Sequence, residues 1–303
     1  MSTSRTAALS LSRRRLTLLT AATGLALAQP RIALGGTTSG DAATPDPTPD
    51  VTDRLAYPSL TVTISRAGLD LPKSIPGGLT HVTVVNADVP EGEHMVWMRL
   101  PGDTTPDDVL ADQAASTETS PVPQWWRDAQ IVGGPDWAFP GKNAVGIVDF
   151  IPGTYVLINI FGSQVGFLEV SEPDASAVVE TPAADMTVSM IDYAFQGIPD
   201  EVPAGRSLVE VHATGSTFHE VAFLPVPDDT TEGSFVEAFA SESSDLVWAP
   251  VAGVSIMTPG LTSWLVLDLK PGTYAAVCAA PDNWEGPPHV MLGMLKIFTV
   301  IEP

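Results

Sequence analysis

The chain has 303 residues, and its 14 Lys and Arg against 36 Asp and Glu give a formal net charge of −22. A surface of that sign repels phosphate backbones and anionic lipid, which excludes nucleic acid and membrane surfaces as partners, whereas a basic protein fits. One cysteine excludes an internal disulfide, and 28 prolines with 25 glycines favour many short strands joined by turns over a helical bundle.

Residues 1–28 read as an export signal. Ser12-Arg13-Arg14-Arg15-Leu16 has the form of a twin-arginine address, an apolar run follows, and Ala26-Leu27-Ala28 offers a small-residue cleavage site. The run is too short to span a bilayer. The predicted location is therefore periplasmic, cell-envelope or extracellular, with no membrane span in the mature chain; an ordinary secretory signal is the alternative. Residues 29–55 are rich in Gly, Thr, Pro and Asp and read as a disordered linker.

Beyond the linker, alternation and β-branching predict strands at Thr61–Ile64, Val82–Asn86, His94–Leu100, Val145–Phe150, Tyr155–Asn159 and Phe167–Val170. Thr105-Pro106-Asp107-Asp108 predicts a capped helix start. Residues 173–185 form a second linker. Further strands are predicted at Thr187–Ile191, Leu208–His212, His219–Leu224, Trp264–Leu269, Tyr274–Cys278 and Leu295–Val300, with a weaker helix at Ser234–Phe239.

The two sets of strands repeat. The segment 145–155 ends in Pro152-Gly153-Thr154-Tyr155 and 264–274 in Pro271-Gly272-Thr273-Tyr274, each with a Pro-Gly at the same distance upstream. His94-Met95-Val96-Trp97-Met98 aligns with His219-Glu220-Val221-Ala222-Phe223. A repeat at this scale predicts tandem domains, 56–172 and 186–303. In the first, Asn159 stands at the position of Cys278, Phe167 at that of Met294, and no counterpart of His289 exists. His94, His81 and His212 are therefore read as structural.

The second repeat carries His219, Cys278, His289 and Met294 in that order. A thiolate, two imidazoles and a thioether form a soft donor set that favours copper. Order, donor types and the Pro-Gly-Thr-Tyr turn before the cysteine strand resemble the cupredoxins, the family of plastocyanin and of the blue-copper domain of nitrite reductase. The Cys278-to-His289 spacing is longer than in plastocyanin, and Glu220 stands where the family often has Asn.

The resemblance implies an all-β chain of two tandem Greek-key β-sandwiches packed through residues 173–185. It also implies one copper ion held by His219, Cys278, His289 and Met294 in a mononuclear type 1 centre, and one-electron transfer with a redox partner protein. A metal-free binding module, with the 279–288 loop as its recognition surface, and a copper storage or delivery protein are the alternatives. The absence of His-x-His pairs, of Gly-x-Ser-x-Gly, of a phosphate loop and of His-Glu-x-x-His leads this reading to exclude an enzyme and any catalytic residue.

Overall fold

The computed structural model describes residues 57–303 except 91, 117–119, 161–163, 176–179, 242 and 244–247. The export signal and the whole of the 29–55 linker lie outside the described residues. Among those described, no helix is long and apolar enough to cross a membrane.

The fold is all-β. The N-terminal half contributes β1 (Ser59–Ser65), β2 (Gly68–Asp70), β3 (Ser74–Pro76), β4 (Gly78–Asn86), β5 (Met95–Arg99), β6 (Gln130–Ile131), β7 (Pro135–Asp136), β8 (Ala144–Phe150), β9 (Gly153–Asn159) and β10 (Gln164–Ser171). The C-terminal half contributes β11 (Met186–Ile191), β12 (Ala194–Gln196), β13 (Glu201–Pro203), β14 (Gly205–Ala213), β15 (His219–Val226), β16 (Ala252–Met257), β17 (Thr262–Leu269), β18 (Gly272–Val277) and β19 (Leu295–Ile301). All twelve predicted strands are present, ten of them wholly within these bounds; His94 and Leu100 flank β5, and Cys278 lies one residue past β18. Helix α1 (Pro106–Ala115) starts on a Thr105 capping box closed by Asp108, α2 (Gln124–Asp128) follows, and α3 (Glu232–Ala240) starts on a second capping box at Thr231.

The pairing of the two halves is duplicated strand for strand. Parallel β1–β4 is matched by β11–β14, antiparallel β4–β8 by β14–β17, β5–β9 by β15–β18, and β9–β10 by β18–β19. In each half the chain changes layer after its second, third and fourth long strands, which gives the Greek-key crossings. Alternation places the core: every second residue of β1 and β4 is buried. The N-terminal core lies between the two layers, with Val62 and Val84 from one facing Met95, Trp97 and Leu157 from the other. Val188, Val211 and Leu265 meet Val221, Phe223 and Phe298 in the same way in the C-terminal half.

The halves are not two sandwiches touching through a linker, as the sequence suggests. β8 and β17 pair antiparallel, so that one eight-stranded sheet, β12-β11-β14-β17-β8-β4-β1-β2, runs through both. β7 adds to the edge of β16 in the C-terminal layer. The β8–β17 register sets Gly146 opposite Leu265, and these are equivalent positions of the repeat. The joint thus has the form of a two-fold contact between duplicated edges. Gly146 makes it possible, since a Cβ there would stand 2.3 Å from the Trp264 carbonyl oxygen. The pairing covers an edge that each half would otherwise expose.

Two alignments read from the sequence are corrected by strand register. Val96 pairs with Ile158 where the other half pairs Ala222 with Val277, and this register aligns Met95 with Val221. His94 is therefore the counterpart of Glu220, and Glu93 that of His219. The sequence alignment slips by one residue, which in a strand exchanges the two faces. Likewise Asn159 pairs with Gln164, whereas Cys278 N–H donates to the Met294 carbonyl. The counterpart of Met294 is Gln164, not Phe167.

Candidate metal centre

β15 and β18 are neighbours in one layer, and this adjacency brings His219 at the start of one beside Cys278 just past the end of the other. β19 returns antiparallel to β18, which brings Met294 back to Cys278. His289 opens a short 3-10 helix, His289–Leu292, behind Pro288 and ahead of Gly293, whose φ of 105° ends it. His289 N–H donates to the Ala280 carbonyl at 2.9 Å, Val290 N–H to that of Cys278 at 2.8 Å, and Met294 N–H to that of His289 at 3.0 Å. The long Cys278–His289 connection does not carry the histidine outward. A bridge between Pro281 and Pro288 closes the base of the loop, and Asp282 N–H donates to the Pro287 carbonyl. The extra residues form a side excursion beyond that clasp.

His219, Cys278 and His289 converge, and all three are fully buried. Their donor atoms lie within 4.8 Å of one another. His219 Nδ1 is 3.1 Å from His289 Nδ1, which is 3.4 Å from Cys278 Sγ. Met294 is also fully buried, and its backbone hydrogen bonds tie it to both Cys278 and His289.

The carboxylates around the two rings decide how they are oriented. His219 Nε2 lies 3.3 Å from Asp192 Oδ1, and Asp192 is fixed in turn by Ser216 and Thr217. Hydrogen bonds from Ser216 lead the forces that hold the Asp192 carboxyl down at about 2, so it stays ionised. A carboxylate facing Nε2 selects the tautomer with hydrogen on Nε2 and leaves the Nδ1 lone pair pointing inward. Gly215 leaves room for this pair, because a Cβ there would stand 2.4 Å from Asp192 Oδ1 and 2.6 Å from His219 Nε2. His289 Nε2 faces Asp282 Oδ1 at 3.8 Å, beyond hydrogen-bonding distance, and is a buried nitrogen with no hydrogen bond. Tyr193 donates to the same Asp282 oxygen at 3.0 Å and sets its ring edge-on to His289.

Burial holds both imidazoles in the neutral form. It lowers His219, and with the neighbouring His219 ring it lowers His289 to about 4. Burial, reinforced by Glu220, pushes the Cys278 thiol well up. The donor set fits a soft cation on two counts. Asp192 turns the His219 Nδ1 lone pair inward, where it stands 3.1 Å from His289 Nδ1, and a cation between the two rings would take both nitrogens. Donors about 2.0–2.3 Å from a common ion also stand roughly 3–3.6 Å apart when the bond angle is near tetrahedral; the His219 Nδ1–His289 Nδ1 and His289 Nδ1–Cys278 Sγ separations fall in that range, and all three donors lie within 4.8 Å of one another.

Around the centre the chain builds an aromatic cover. Phe218 stacks on Trp284 with centroids 3.9 Å apart and lies 6.0 Å from His289. Trp126, on α2 of the N-terminal half, meets Trp284 edge-on, and Trp125 follows it. Trp284 is thus half-buried against its neighbours.

Asp192, Tyr193, Asp282 and the Trp125–Trp126 pair escape the sequence reading. The only local signal is the Gly215-Ser216-Thr217 turn ahead of Phe218, whose partner lies a strand away. His94 and Glu220 gain a clear place. His94 Nδ1 lies 2.5 Å from Asp136 Oδ2, and its Nε2 lies 3.5 Å from Glu220 Oε2 in the other half. His212 sits on the shared sheet against Glu210 and Thr262, away from the centre.

No family model and no curated protein matches the chain. Solved structures do. Auracyanin from the photosynthetic bacterium Roseiflexus castenholzii is 20% identical over 38% of this chain and 94% of its own, with a TM-score of 0.27. A multicopper oxidase is 12% identical over 80% of this chain and 88% of its own, with a TM-score of 0.23. A copper nitrite reductase from Nitrosomonas europaea is 12% identical over 81% of this chain and 94% of its own, also at 0.23. The exclusion of an enzyme made from motifs is withdrawn, because two of these similar structures are enzymes.

Proposed function

We propose that the chain is an exported copper protein of cupredoxin type, with two tandem domains, 56–172 and 186–303. The second would hold one copper ion between the Cys278 thiolate and the His219 and His289 imidazoles, with the Met294 thioether as a weak fourth donor. The observation that carries this reading is the convergence of three buried donors, both imidazoles meeting through Nδ1. Bound copper would supply a one-electron couple, and a thiolate with two imidazoles suits both of its oxidation states.

The chain's own residues prepare the place. The Asp192 carboxylate orients His219, and the Pro281–Pro288 clasp fixes His289. Both rings are neutral near neutral pH, so they can donate without first losing a proton. Cys278 holds its proton in the free protein and must release it as a cation arrives, so affinity rises with pH. Phe218 and Trp284 keep water from the rings. The acidic surface of the chain favours a basic protein as the partner in electron exchange.

A copper titration followed by visible absorbance tests the reading. The wild type should develop an intense thiolate-to-copper band at one equivalent, and Cys278→Ala should have none. Equal, colourless binding by both would end this reading in favour of a metal-free binding module. Reversible voltammetry of the coloured protein separates electron transfer from storage or delivery. Replacing Arg13 and Arg14 together by Lys should retain the protein inside the cell.

A further inference from the structure

We infer that His94, in the half without the metal donors, is a positioning residue for Cys278 and acts across the joint through Glu220. This rests on the metal-centre reading above.

The geometry is a buried chain of contacts. Asp136 and Glu93 are fully buried, while His94 and Glu220 are each 3% exposed. Asp136 uses both carboxylate oxygens inside its own half: Oδ2 takes His94 Nδ1, and Oδ1 accepts from Met95 N–H at 2.9 Å and Trp137 N–H at 3.0 Å. Trp137 stacks on the imidazole with centroids 5.1 Å apart, so the ring has one orientation. That orientation aims Nε2 at Glu220 Oε2. The other Glu220 oxygen accepts from Ala279 N–H at 3.1 Å, and Glu220 N–H points to Cys278 Sγ at 3.4 Å. Glu220 therefore grips the sulfur and the backbone just after it, and His94 grips Glu220.

Charge points the same way. Burial pushes the His94 imidazole down, but Asp136 and the two nearby glutamates outweigh it and bring it up to about 9. Removing the imidazole leaves Glu220 Oε2 without the group that faces it at 3.5 Å, in an apolar interior. Glu220 Oε2 has no hydrogen bond of its own, so His94 is the cation facing it. This also accounts for Glu220 in a place where the resembling family often has Asn: an amide could hold the Ala279 N–H but could not pair with a cation from the other half.

The test compares wild type, His94→Gln and Glu220→Gln, each with and without one equivalent of Cu(II). Metal-free, hydrogen exchange at the Glu220 and Ala279 amides should be about tenfold faster in His94→Gln, the loss expected when a buried ion pair is deprived of one partner, with β1 and β4 unchanged. Copper-loaded, His94→Gln should keep its stoichiometry while its thiolate-to-copper band moves in energy or intensity. Glu220→Gln, which keeps shape and the Ala279 bond, should give the same band shift and covers the case in which His94→Gln fails to fold. Wild-type exchange at both amides and a wild-type band, in whichever variants fold, would overturn the inference and leave His94 as packing. If the wild type itself takes up no copper, the metal reading fails, and the exchange comparison still decides the role of His94.

Discussion

The same place in the two halves holds opposite chemistry. In the C-terminal half Cys278 and Met294 face each other across the end of two paired strands. In the N-terminal half the equivalent pair is Asn159 and Gln164, and the Asn159 amide donates to the Gln164 side chain at 2.8 Å. One pair of strand ends carries two sulfur side chains, the other an amide-to-amide hydrogen bond. The strands beneath are the same, so the donor chemistry is a property of four side chains and one loop rather than of the fold. The loop matters as much as the sulfurs: residues 160–163 connect the N-terminal strands where residues 279–293 connect the C-terminal ones, and His289 lies in the surplus.

The strongest way to break that difference is to write one half into the other. Cys278→Asn with Met294→Gln should fold, by circular dichroism, and should lose copper binding altogether in a titration. Asn159→Cys should gain no coloured copper, since its half lacks a second imidazole. Next in size is the joint. Gly146→Val drives a side chain into the Trp264 carbonyl and should cost roughly 3 kcal/mol in urea unfolding, with the single transition splitting into two.

Asp192→Asn weakens the hold on His219 and should lower copper affinity about 10- to 100-fold without moving the metal-free unfolding midpoint by more than a few degrees. The N-terminal half should reveal itself through pH. His94 is raised in the fold from 6.5 to about 9, so its contribution is complete below pH 6.5 and is lost as the pH rises through 9. Metal-free protein should therefore lose stability between those values, roughly 3 kcal/mol, and His94→Gln should flatten that limb of the profile. The smallest effect concerns a feature both halves share. Each carries a helix opened by a threonine capping box, and Thr105→Ala or Thr231→Ala should each cost about 1 kcal/mol in thermal unfolding.

Much of this architecture is legible in the chain. Strands with one face in the core alternate, and the repeat of Pro-Gly-Thr-Tyr fixes where each half turns. β16 escapes because all of its residues are buried, which erases alternation, and it contains Gly253 and Ser255. β7 is two residues long and exists only because β16 offers it an edge. The residues that converge, His219, Cys278 and His289, are legible through order and type. Their surroundings are not, since Asp192 and His94 reach the centre from strands distant in sequence. The one-residue slip at His94 has a physical source too: aligning histidine with histidine follows chemistry, whereas strand pairing aligns His94 with Glu220.

That pairing of unlike equivalents bears on self-association. Had the two halves stayed identical, the β8–β17 joint would fit any two copies, and separate molecules could exchange partners along it. Two C-terminal halves meeting edge to edge in that way would oppose one Glu220 carboxylate to another in a dry interior, a repulsion that a His94 imidazolium converts into attraction. The joint therefore favours an N-terminal edge over a second C-terminal one, and His94 facing Glu220 makes that difference.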